Sequence, residues 1–85
     1  MIRHIEITDE ELRNKIKDGS ICLGGNVNLK IYGKLKCASG MRMKKENRVF
    51  FRSQKEAIKE GFRPCGHCLK EYYKKWLSAY HLLGQ

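Results

Sequence analysis

Apolar residues recur along the chain in short runs, and the spacing within each run predicts an element. Leu12 and Ile16 fall four apart on one helical face, behind Thr8 and Glu11, whose three-residue separation is the signature of a capping box. A helix is expected over Asp9 to Lys17, with Asp18 and Gly19 ending it. Ile21, Cys22 and Leu23 read as a strand, and so do residues 28–32, where Leu29 and Ile31 alternate with Asn28 and Lys30. Gly24, Gly25 and Asn26 fall between them as the turn of a hairpin or of two neighbouring strands. Arg48, Val49, Phe50, Phe51 and Arg52 form an aromatic and β-branched run bounded by charges, the pattern of a central strand. Ser53 and Glu56 repeat the capping signature and start a short helix through Ala57 and Ile58. Gly61 is placed to close that helix in the left-handed conformation, and Phe62 to fold back onto it.

From Cys68 onward, Leu69, Tyr72, Tyr73, Trp76, Leu77, Tyr80 and Leu83 recur at steps of three and four, with Lys70, Glu71, Lys74, Lys75 and Ser78 on the other face. A stripe of this kind is expected to be core, because aromatic residues at helical spacing pack far more often than they stack on bases. Together the elements predict an α+β fold: a small antiparallel or mixed sheet of about three strands, from the segments near Cys22, Ile31 and Phe50, with three helices around it. No repeat or low-complexity segment divides the chain, so residues 1–85 are expected to form one domain and to act as a monomer.

Size and charge change this picture. A chain of 85 residues buries only about 60% of the surface its unfolded form exposes, and folds this small commonly need a staple. The 18 basic residues outnumber the 9 acidic ones, for a net charge of +9, and the excess gathers between Lys30 and Arg63. There Lys34, Lys36, Arg42, Lys44, Lys45, Arg48, Arg52, Lys55 and Lys59 stand against only Glu46, Glu56 and Glu60. Such a field draws polyanions, although a solvated surface that keeps the chain dissolved is the other use of the same residues. No apolar segment approaches the roughly 20 residues needed to span a bilayer. The opening MIRHIEITD has no basic stretch followed by an apolar run, so a cytoplasmic location with reduced thiols is expected.

Reduced thiols are free to bind metal. In Cys65-Gly66-His67-Cys68 the glycine relieves crowding, so that both sulfurs can point at one tetrahedral ion, and the motif reads as half of a zinc site. A redox pair would need a thioredoxin-like strand and helix context that the flanking sequence lacks. Cys37 is the natural third ligand, because the residues after it, Ala38, Ser39 and Gly40, are small and few apolar residues surround it.

The order Ile31-Tyr32-Gly33-Lys34-Leu35-Lys36-Cys37, then Glu46-Asn47-Arg48-Val49-Phe50-Phe51, then Glu56-Ala57, then Gly61-Phe62-Arg63-Pro64-Cys65-Gly66-His67-Cys68 resembles the metal-binding domain of the Ada DNA-methylation-repair protein. The resemblance covers residues 28–68 and is most specific at the closing G-F-R-P-C-x-x-C. It implies a zinc-binding scaffold with four cysteine ligands, the first of which also accepts a methyl group from a DNA phosphotriester. Here that position is Gly33, with Cys37 at the family's second cysteine. The other register, which sets Cys37 and Met41 as the pair, leaves Ile31 and Tyr32 unmatched and a larger spacing to close before Cys65. Glycine carries no nucleophile, so the sequence argues for the scaffold and against alkyl transfer, and an enzyme is not expected.

Cys37, Cys65 and Cys68 then need a fourth ligand, and Cys22, His67, His4, His81 or a water are the candidates, with Cys22 placed first because its strand can lie beside Ile31. For nucleic acid, Arg42, Lys44, Lys45 and Arg48 form a basic run beside the metal loop, and Arg63 precedes the proline as in the family. These residues are expected to hold a DNA backbone weakly and with little sequence preference. The residues inside the closing C-x-x-C, often basic in the family, are Gly66 and His67 here, which weakens the expectation for duplex DNA. Two other readings stand beside it. One has Cys37 take over as methyl acceptor in a repair accessory. The other is a protein-interaction module using Tyr72, Trp76 and Tyr80, which a monomer burying all three would exclude.

Overall fold

The computed structural model describes residues 1–37 and 42–83, with side chains through residue 79. The small loop Ala38, Ser39, Gly40 and Met41, and the side chains of Tyr80, His81 and Leu83, lie outside the described residues. Within them, three helices surround a mixed sheet of five strands: β1 (Ile2–Arg3), α1 (Asp9–Lys17), β2 (Leu23–Asn26), β3 (Ile31–Lys34), β4 (Arg48–Phe51), α2 (Gln54–Lys59), β5 (Arg63–Pro64) and α3 (Lys70–Leu83). The strand order is β1-β4-β2-β3-β5, antiparallel except for the β3–β5 pair. The α+β expectation holds, with two strands more than the sequence pattern predicted.

Both capping signatures work locally. The Thr8 hydroxyl accepts from the Glu11 N–H at 3.1 Å while the Glu11 carboxylate accepts from the Thr8 N–H at 3.0 Å, so the box at α1 is reciprocal. At α2 only half of it forms: Ser53 Oγ accepts from the Glu56 N–H, and the Glu56 carboxylate turns instead to the N–H of Arg52 at 3.2 Å. Gly61 closes α2 at φ +87°, a conformation that is strained for residues with a Cβ. The Phe62 N–H then donates to the Ala57 carbonyl at 3.0 Å, returning its ring to the sheet.

The hairpin turn lies further along than expected. Gly24 and Gly25 are inside β2, paired with Gly33 and Tyr32 on one side and with Phe50 and Val49 on the other. The chain reverses over residues 27–30, where Asn26 Oδ1 accepts from the N–H groups of Asn28 and Leu29 and Lys30 takes φ +57°. An asparagine side chain that mimics a turn has outcompeted a glycine pair. Gly25 is held in the strand by close approach: a Cβ there would meet the Phe51 ring at 2.9 Å and the Ile31 carbonyl oxygen at 3.0 Å.

Strand alternation sends Tyr32, Val49 and Phe51 to one face, where they form the core with Ala57 and Phe62. Phe51 and Phe62 meet edge to face at 4.8 Å between centroids. The helix stripe of α3 departs from expectation. Leu69 packs against the core, but Tyr73, Trp76 and Leu77 are half-buried and Tyr72 is 46% exposed. The interaction-module reading is therefore not excluded by burial of its tyrosine.

On the opposite face, His4 is buried against Phe50, with ring centroids 5.2 Å apart, and neither ring nitrogen has a hydrogen-bond partner among the described residues. Burial lowers its pKa, the charges of Arg48 and Lys45 lower it further, and Asp9 opposes them. The folded state thus refuses a proton that the unfolded chain accepts from about pH 6.5 downward. Its contribution to stability is complete above that pH and declines as pH falls toward the folded value. Replacing His4 with Phe is expected to remove this component. The wild-type minus variant difference in urea midpoint should then grow more unfavourable between pH 7.5 and pH 5, whereas two parallel profiles would show that His4 does not titrate this way.

Candidate metal centre

β3 and β5 are parallel neighbours, so the chain leaves both at the same end of the sheet. The chain leaves β3 through a turn in which the Cys37 N–H donates to the Lys34 carbonyl at 3.1 Å. It leaves β5 at Pro64, an edge position where a missing N–H is tolerated. The Cys65 N–H still bonds to the Tyr32 carbonyl at 2.7 Å, and the Leu69 N–H donates back to the Cys65 carbonyl at 3.0 Å as α3 begins. Two turns side by side thus bring the sulfurs of Cys37, Cys65 and Cys68 within 4.8 Å of one another. Around a tetrahedral zinc ion with Zn–S near 2.3 Å, sulfurs lie about 3.8 Å apart, so small rotamer adjustments close the group on an ion.

Cys37 is buried and the other two are half-buried. The Lys34 N–H points at Cys68 Sγ at 3.2 Å and the His67 N–H at Cys65 Sγ at 3.4 Å, donors that favour thiolate charge. Burial pushes the bare Cys68 thiol up to about 11, hydrogen bonds with Cys37 and Cys65 add to the rise, and the Lys34 N–H opposes it. Only a thiolate coordinates, so metal binding displaces that proton. Soft donors, burial and amide hydrogen bonds to sulfur all fit zinc, and Cys37, Cys65 and Cys68 form a cluster that can hold it. When bound, a zinc ion would tie the ends of β3 and β5 together and offset two of the three thiolate charges. Gly33 adjoins the same cluster: a Cβ built on it would lie 2.7 Å from Cys68 Sγ and 3.1 Å from Cys65 Cβ.

Of the other sequence candidates, Cys22 and His4 lie outside this cluster, and His67 sits within the C-x-x-C turn without its side chain joining the clustered ligands. Cys22 immediately precedes β2 and lies beside Phe51, whose carbonyl takes its N–H at 3.0 Å; its exposed thiol points at the Gly19 carbonyl at 3.4 Å. It is not among the clustered cysteines. His4 is packed on Phe50, His67 is exposed, and His81 lies outside the described side chains. Of the basic residues, Arg42, Lys44 and Lys45 are exposed, and Lys45 reaches Asp9 at 3.5 Å in a solvent-facing pair. Arg48 is half-buried; its guanidinium donates to the Leu35 carbonyl at 3.2 Å and lies over the Phe50 ring. Arg63 donates to the Pro64 carbonyl at 2.9 Å and stacks over Tyr73 and Trp76 at 5.0 and 5.5 Å from their centroids. Two residues escaped the sequence reading. Lys34 acts through its main-chain N–H, for which no side-chain signal exists, and Met43 lines a cavity shared with Cys37 and Cys65.

No helix among the described residues is long and apolar enough to cross a membrane. None of the curated proteins and none of the solved structures compared with the chain matches it. The family model described as the metal binding domain of Ada matches residues 11–71, a longer stretch than the quoted motifs. With that match covering well over half of the sequence, and with the two cysteines of its closing motif clustered with Cys37, the chain belongs to the family of the metal binding domain of Ada.

Proposed function

We propose that the chain is a zinc-stapled module that binds nucleic acid, DNA in the first instance, without catalysing a reaction. The observation that carries this reading is the setting of the metal centre. Exposed Arg42, Lys44 and Lys45 follow the Cys37 turn, and Arg48 lines the cavity that Cys37 and Cys65 also border. Phosphates can meet this rim while the ion holds it in place. Arg48 and Arg63 are held by partly buried intramolecular contacts, so they orient neighbouring groups and add positive potential, while exposed Arg42 and Lys44, and Lys45 on exchanging its solvent-facing Asp9 partner for a phosphate, make the direct contacts. Gly33 supports the non-enzymatic half of the proposal. Its hydrogen sits where a Cβ would aim at the sulfurs, and we infer that it replaces the family's methyl-accepting cysteine.

Binding to a short DNA duplex, followed by fluorescence anisotropy, tests the proposal. Affinity should fall steeply from about 50 to about 200 mM salt, and the triple variant R42E/K44E/K45E should reduce the salt slope by about 3. A control with Lys70 and Lys74 of α3 changed to Glu should retain most of the slope. Absence of binding at the lowest salt, or an unchanged slope in the triple variant, would refute the assignment.

A further inference from the structure

Cys37, Cys65 and Cys68 would give a tetrahedral ion three of its four ligands, and among the described residues no further cysteine, histidine or carboxylate joins the cluster. The side-chain direction at position 33 leads into the thiol cluster, where a Cβ would overlap Cys68 Sγ at 2.7 Å and crowd Cys65 Cβ at 3.1 Å unless the sulfur shifted, and residue 33 is glycine. The remaining cysteine, Cys22, is exposed beside the Gly19 carbonyl and stands outside the cluster. Gly33, Cys37 and Cys65 together border a cavity of about 290 Å³. Its walls are mixed: Leu29, Ile31 and Met43 are apolar, while Lys34 and Arg48 are cationic.

We propose that the fourth ligand of this metal centre is a small exogenous thiolate that enters through this cavity. The chemistry of the walls selects it. A soft anionic sulfur suits a sulfur-ligated zinc and is attracted by Arg48 and Lys34, and its alkyl body suits Leu29, Ile31 and Met43. The thiol loses its proton to solvent as its sulfur joins the ion, so no oxidant or reductant is involved. The inference rests on the three-cysteine centre and is independent of nucleic-acid binding, which can fail without touching it.

Cobalt(II) in place of zinc makes the coordination sphere visible, because sulfur-to-cobalt charge-transfer absorption scales with the number of thiolates. Adding ethanethiol anaerobically to the cobalt-loaded chain should raise that absorption saturably by about one third, as three thiolates become four. Cys22→Ser should respond as the wild type does. Gly33→Cys should start at the higher intensity and not respond. The proposal is overturned by a wild type that does not respond to ethanethiol. It is equally overturned by one that already shows four-thiolate intensity, or one whose fourth thiolate disappears in Cys22→Ser. A chain that takes up no cobalt overturns the three-cysteine centre and this proposal with it.

Discussion

Replacement of Cys37, Cys65 or Cys68 by serine is expected to weaken zinc binding by roughly a hundred- to a few-thousand-fold. Structural zinc sites in small domains contribute an apparent ~10–16 kcal/mol at neutral pH. Sharing that among three or four ligands assigns about 3–5 kcal/mol to each, and every 1.4 kcal/mol is a factor of about ten. The same loss appears as stability, because the ion joins the ends of two strands that are distant in sequence. In a domain of this size about 1 kcal/mol moves the thermal midpoint by roughly 4–8 °C, so losing even ~3 kcal/mol should lower it by some 12–24 °C. Cys22→Ser, altering an exposed thiol outside the cluster, should keep both its metal and its midpoint. Native mass spectrometry and calorimetry on the four single variants decide the matter. If Cys22→Ser loses zinc as the others do, or if a chelator leaves the wild-type midpoint unmoved, the three-cysteine staple is wrong.

Phe51→Ala should come next in severity, at about 3–5 kcal/mol. The ring is fully buried, meets Phe62 edge to face and fills the space left by Gly25. Chains of this length are stable by only about 4–13 kcal/mol in all, so this one truncation removes a large fraction of what there is. Ile58→Ala is the matched control: its side chain is 55% exposed, and changes at such sites usually stay within about 0.5 kcal/mol. Urea denaturation of the zinc-loaded proteins measures both. A cost under ~1 kcal/mol for Phe51→Ala would mean that the sheet face covered by α2 is not the principal core.

These expectations depend on features that differ in how plainly the sequence announces them. Helices with capping signatures are legible because cap, periodicity and stop signal are local; Thr8 with Glu11 and Ser53 with Gly61 each specify an end within a few residues. The aromatic run of β4 is legible for the same reason. β1 and β5 are not, since two residues carry no period and each strand is defined by a partner elsewhere: Ile2 by Phe50, Arg63 by Ile31. The displaced hairpin turn shows two turn chemistries competing within one short stretch. Adjacent glycines signal a turn, but tertiary demand for space beside Phe51 keeps them in the strand and leaves the reversal to Asn26. At the metal centre, Cys37, Cys65 and Cys68 could be chosen from spacing and family likeness, whereas the separation of Cys22 from their cluster needed the strand order. Cys22 lies beside β4, and the cluster gathers where β3 and β5 end. The periodicity of α3 correctly gave a helix but overstated its burial, because period reports which residues share a face and says nothing of what that face meets.

One contact has an optical consequence. The sequence has a single tryptophan, and Trp76 lies with Tyr73 against the guanidinium of Arg63, the residue that begins β5. Its emission responds to the polarity and charge around the indole. Any event that separates α3 from the sheet edge, whether metal removal or a ligand wedged under the helix, therefore writes itself into the intrinsic fluorescence, and the protein needs no attached dye to report it.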